Sequence, residues 1–138
     1  MASVLKISEA ASLALHTCAY LAKHPDSLVS TRDIAKVLSA SAAHLSKVLQ
    51  RLSHAGIVSS IRGPHGGFKL HRPAAKIALL EIYETIEGPF TSGDCLHETP
   101  ICGGKNCVFG ELLKKAHRLS LDYFTKTTLA RLDGVFIK

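Results

Sequence analysis

A chain of 138 residues with 46% hydrophobic content can bury one core, which excludes extended disorder and leaves room for a single compact unit with at most an attached arm. The longest run without a formal charge, Ala10 to Ala22, falls short of the about 20 apolar residues a membrane-spanning helix needs, and no basic start or small-residue cleavage site makes it a signal peptide. The formal charge of +6 is confined to residues 30–72, where seven Lys or Arg face one acid, Asp33, while the rest of the chain balances ten against ten.

A charge block this localised suits a phosphate backbone, because each neutralised phosphate releases condensed counterions, whereas a merely solvated lysine surface would scatter it. With no membrane segment, the expected location is cytoplasmic. There the four cysteines read as thiols or metal ligands and not as a disulfide framework.

Along the chain, Ala11, Leu15, Cys18 and Ala22 recur at helical spacing and predict a first helix from Ser8 to His24, with Cys18 on its core face. Ser30 and Asp33 form a capping pair for a short second helix that ends near Ser39 and turns Ile34, Ala35, Val37 and Leu38 inward. Ser41 caps a third helix, which buries Leu45, Val48, Leu49 and Leu52 and ends at Ala55-Gly56. The period then changes. Residues 57–62 and 68–72 read as two strands joined by the glycine-rich turn Gly63-Pro64-His65-Gly66-Gly67. After Pro73, the spacing of Ile77, Leu80, Tyr83 and Ile86 predicts a fourth helix ending at Gly88-Pro89. Residues 90–106 lose periodicity. From about Val108 a long last helix is predicted, carrying Leu112, Leu113, Ala116, Leu119, Tyr123 and Phe124 onward to Leu129 and Leu132.

The fold class is therefore mainly α with one small β-hairpin, arranged as a winged helix-turn-helix followed by a long C-terminal helix. In that arrangement the third helix enters the DNA major groove and the hairpin touches the flanking minor groove. Ser41, Ala42, His44, Ser46 and Lys47 lie in its first two turns, within reach of base edges, with Arg51 one turn further toward phosphate. Arg62 and His65 flank the hairpin tip. No glycine-rich phosphate loop, nucleophile elbow or paired-carboxylate pocket is present to support an enzyme.

The run Ser41-Ala-Ala-His-Leu-Ser-Lys-Val-Leu-Gln-Arg-Leu, the segment Arg62-Gly-Pro-His-Gly-Gly-Phe and the stretch from Ile77 to Pro89 resemble the Rrf-type winged-helix transcriptional regulators of the IscR and NsrR kind. The resemblance covers nearly the whole chain. It implies a homodimer on an inverted-repeat operator in double-stranded DNA, with residues 1–88 as the DNA-binding domain, 89–107 as a sensor loop and 108–138 as dimerisation helix and tail. His44 stands where members often carry an aromatic residue.

Cys95, Cys102 and Cys107 share the glycine-bearing loop, where three thiolates could converge on one centre as soft ligands for an iron-sulfur cluster or zinc. The resemblance carries these three over as cluster ligands, with the two-iron or four-iron type left open. A fourth ligand does not carry over, because Gly110 stands at the histidine position some members use and Ser12 at the acidic position others use. Glu9, His16, Asp94, His97 and Glu98 are the available substitutes. A structural zinc site built from the three cysteines and His97, direct thiol sensing, and a winged helix used for protein contact are the alternatives.

Overall fold

The computed structural model describes residues 7–91, 95–97, 99–103, 106–132 and 134–136. Three helices open the chain: α1 (Glu9–Ala22), α2 (Thr31–Val37) and α3 (Ala42–His54). Each begins at a serine whose Oγ accepts the N–H three residues on, from Ala11 to Ser8 at 3.0 Å, from Asp33 to Ser30 at 3.1 Å and from His44 to Ser41 at 3.3 Å. Three of the orphan N–H groups at these helix starts are thus satisfied locally.

The ends of α2 and α3 share one geometry. Ala40 N–H bonds back to the Ala35 carbonyl at 2.9 Å and Ile57 N–H to the Leu52 carbonyl at 3.0 Å, with the intervening residue in the left-handed region. In α3 that residue is Gly56, φ 74°, which adopts it freely; in α2 it is Ser39, φ 52°, which does not.

Strands β1 (Val58–Ile61) and β2 (Gly67–Leu70) pair antiparallel, with Val58 opposite Leu70 and Ile61 opposite Gly67. Val29, just before α2, extends this hairpin by a further antiparallel bridge to Phe68. The approach is close enough that a Cβ on Gly67 would lie 2.8 Å from the Val29 carbonyl oxygen, and one on Gly66 would overlap the Ile61 carbonyl.

Helix α4 (Leu79–Glu87) is phased differently from the spacing expected for it. Pro73 starts a short 3-10 turn, Ala74–Lys76, and Ile77 is extended, so the helix begins at Leu79 and buries Leu79, Ile82 and Ile86 in place of Leu80 and Tyr83. Ile77 is fully buried but lies outside the helix.

The last helix, α5 (Leu112–Lys126), is shorter than expected at both ends. Gly110 sits in the left-handed region, φ 54°, which breaks the chain between Val108 and Leu112. At the other end Leu79 N–H bonds to the Thr127 carbonyl at 2.9 Å and Leu129 N–H to the Ile77 carbonyl at 3.0 Å, drawing residues 127–129 into an extended pairing. Leu129 and Leu132 follow as a 3-10 turn (Leu129–Arg131) and its cap, outside the helix. This edge also fastens the C-terminal segment to the winged-helix core.

One hydrophobic cluster unites α1, α2, α3, β1 and α4 with Phe124 and Leu129. Cys18 lies fully inside it, and burial, with the Glu81 charge, pushes its thiol up to about 12. Among the described residues no helix is long and apolar enough to cross a membrane.

Candidate functional site

The helix that buries Leu45, Val48, Leu49 and Leu52 must turn the intervening positions outward. Ala42, Ala43, Ser46, Lys47 and Gln50 are exposed on that outer face, Ser41 is exposed at its cap, and His44 is half-buried. Two small alanines at the start of the helix leave its backbone free to approach a surface closely.

Across from α3 stands the wing. Its tip is closed by Gly66 N–H bonding to the Gly63 carbonyl at 3.0 Å, and Arg62 and His65 are exposed on it. Between helix and wing runs an open groove of about 850 Å³, lined by Ser46, Gln50 and His54 on one side and Ser60 and Arg62 on the other, with Thr31 of α2 at its end. Gln50 and Thr31 were not singled out from the sequence; Gln50 lies four residues after Ser46, the helical repeat that places both on the groove wall.

The basic block divides in three dimensions. Arg72 forms an ion pair with Glu81 and also donates to the Gly56 and Lys76 carbonyls, so it braces the wing's exit against α4. Arg51 Nη2 donates to the Thr85 and Ile86 carbonyls at 3.2 and 2.9 Å, at the end of α4. Arg32, Lys36, Lys47, Arg62 and Lys69 remain, all exposed and without an ion-pair partner among the described residues. The nearby acid, Asp33, accepts a hydrogen bond from Ser30 Oγ at 2.8 Å at the α2 cap. Unneutralised cations thus cluster around α2, α3 and the wing.

The cysteine loop leaves α4 through Gly88 and Pro89. Phe90 anchors its root, packing on Tyr83, His117 and Phe124 with ring centroids 5.0, 5.1 and 5.7 Å away. Cys95, Cys102 and Cys107 are free thiols and half-buried, and His97 N–H points to Cys95 Sγ at 3.4 Å. Gly103, Asn106 and Gly110 each adopt left-handed backbone.

Three soft thiolates on one loop fit an iron-sulfur cluster by donor chemistry. Among the described residues, however, no three His, Cys, Asp or Glu side chains are gathered as a metal site, whether of cluster or zinc type. Of the substitute fourth ligands, His16 Nδ1 is 2.7 Å from the Ser12 carbonyl on its own helix, Glu9 lies in the first turn of α1, and His97 is exposed. Asp94 and Glu98 lie outside the described residues.

A family model described as "Iron-dependent Transcriptional regulator", that of Rrf2, matches residues 7–133. The chain belongs to the Rrf2 family. This Rrf2 chain is 32% identical over 131 residues to a protein of Aquifex aeolicus named as an HTH-type transcriptional regulator, with 93% of this chain and 91% of the relative covered. It is similar to the structure of CymR, the global cysteine regulator of B. subtilis, with TM-score 0.78, 29% identity and coverage of 93% and 95%. IscR of T. potens shares its fold, with TM-score 0.71, 23% identity and coverage of 97% and 93%. The relatives are transcriptional regulators, and the Rrf2 chain is one of them and not an enzyme.

Proposed function

We propose that this Rrf2 regulator binds an inverted-repeat operator in double-stranded DNA as a homodimer. Ser41, Ala42, His44, Ser46 and Lys47 would face the major groove, with Arg62 and His65 in the flanking minor groove. The observation that carries this reading is the set of five exposed cations on α2, α3 and the wing that have no ion-pair partner among the described residues, one of which, Arg62, lines the groove open to solvent. The dimer is supported by α5, whose Leu112, Leu119 and Tyr123 fall along one helical stripe and are 54%, 73% and 54% exposed. In this reading residues 1–88 bind DNA, 89–107 sense and 108–138 pair the subunits.

The same proposal assigns control to an iron-sulfur cluster held by Cys95, Cys102 and Cys107. A bound cluster would supply a centre reactive toward nitric oxide, oxygen or changes in iron supply. The chain's own part would be mechanical: the loop joins the end of α4 to the start of α5, whose other end is already fastened to the head, so its order would act on the two helix ends it connects. A second reading, control by the thiols themselves, draws on their being free and half-buried and on the likeness to a cysteine regulator.

Anaerobic purification tests the assignment. The cluster reading expects coloured protein with iron and sulfide, lost in Cys95→Ala, Cys102→Ala and Cys107→Ala and kept in Cys18→Ala. Colourless protein, with stoichiometric zinc or with no metal, would leave the thiol or zinc readings.

A further inference from the structure

Helix α4 ends with an acceptor problem. The N–H that would continue the ladder from the Thr85 carbonyl belongs to residue 89, and Pro89 has none. Gly88, φ 82°, closes the helix by bonding to the Glu84 carbonyl at 2.9 Å, which leaves the Thr85 and Ile86 carbonyls for another donor. That donor comes from the recognition helix. Arg51 Nη2 reaches both, at 3.2 and 2.9 Å, setting a cation at the negative end of α4.

The same few residues are held from two other directions. Glu87 accepts a hydrogen bond from Ser8 Oγ, the cap of α1, and Phe90 is packed among Tyr83, Phe124 and His117. The root of the cysteine loop and the recognition helix therefore meet at one point. Lys47 lies one helical turn before Arg51 on α3 and is exposed without a partner among the described residues.

We propose that Arg51 is a positioning residue which couples the end of α4, and through it the cysteine loop, to the recognition helix, and that it does not serve as a phosphate contact. The coupling to the loop rests on the proposed role of residues 89–107 in control; the positioning role stands without it. A shift at the loop root would move the Thr85 and Ile86 carbonyls and, through the guanidinium, the register of α3 against DNA.

The test compares wild type with Arg51→Ala and Arg51→Lys on a duplex selected from a random-sequence pool, over a series of salt concentrations. Arg51→Ala is expected to weaken binding about two- to thirtyfold with the slope of log affinity against log salt unchanged. Hydrogen exchange over residues 84–91 is expected to quicken in Arg51→Ala and to recover in part in Arg51→Lys, at melting temperatures that keep every variant folded. A slope reduced by about 0.9, with exchange unaltered, would make Arg51 a phosphate contact and overturn the proposal. Affinity is then measured after alkylation of the loop thiols. If alkylation changes wild-type affinity, the change should shrink in Arg51→Ala, and an undiminished change overturns the coupling. If alkylation leaves wild type unaltered, the control reading and the coupling fail together, and slope and exchange still decide the positioning role.

Discussion

Val29 and Phe68 exchange both backbone hydrogen bonds, at 2.9 and 2.8 Å, so the wing's second strand is fixed to the residue that leads into α2. Strand β2 is therefore held along both edges, by β1 on one side and Val29 on the other. Gly67 permits this approach. Gly67→Ala should destabilise the protein by about 1–3 kcal/mol, read as a lowered melting temperature, because the new Cβ meets the Val29 carbonyl. Gly134→Ala, which meets open space, should leave the melting temperature unchanged.

Ser39 occupies left-handed backbone in the turn between α2 and α3, where a Cβ is unfavourable. Ser39→Gly should raise stability by about 0.5–1 kcal/mol in a urea titration, since glycine's lower strain exceeds its larger unfolded-state entropy. DNA affinity should stay constant.

Lys47→Ala and Arg62→Ala should each weaken DNA binding, by about 1–3 kcal/mol where the side chain reads a base edge. Where it neutralises a phosphate instead, the salt slope should fall by about 0.9. Lys114→Ala and Lys115→Ala, on exposed positions of α5 far along the chain from the basic block, should change affinity little.

The helix-turn-helix and hairpin were legible in the sequence because their signals are local. Serine caps at Ser30 and Ser41, Gly56 after α3 and the glycine-rich tip each act within a few residues. What escaped was set by distant partners. Ile77 reads as the first residue of a helix, yet it is claimed by Leu129, 52 residues on, through a backbone pairing that no period announces. For the same reason Leu129 and Leu132 left the last helix. Arg51 and Arg72 looked alike in the basic block, but the structure gives one the carbonyls of α4 and the other Glu81. The three cysteines were singled out by residue type and spacing, and no local rule brings three side chains spread over thirteen positions of a loop onto one centre.

Cys18 ties alkaline stability to the core. Its thiol, pushed from 9.0 up to about 12 by burial, keeps its proton in the folded state while the unfolded chain loses it. The folded state then binds more protons above pH 9, so this contribution is intact below pH 9 and is lost as pH rises toward 12. Urea titrations across that window should show stability falling, and Cys18→Ala should fall less steeply over the same range. The buried thiol should also resist alkylation at neutral pH while Cys95, Cys102 and Cys107 react.

The most direct measurement takes one anaerobic preparation, determines its iron and sulfide, and measures its affinity for a selected duplex before and after a chelator strips the loop. Iron and sulfide should be bound, and affinity should change on their removal, in a protein that stays dimeric and folded throughout. Affinity that is identical with and without the cluster, or a loop that holds no iron at all, would contradict it.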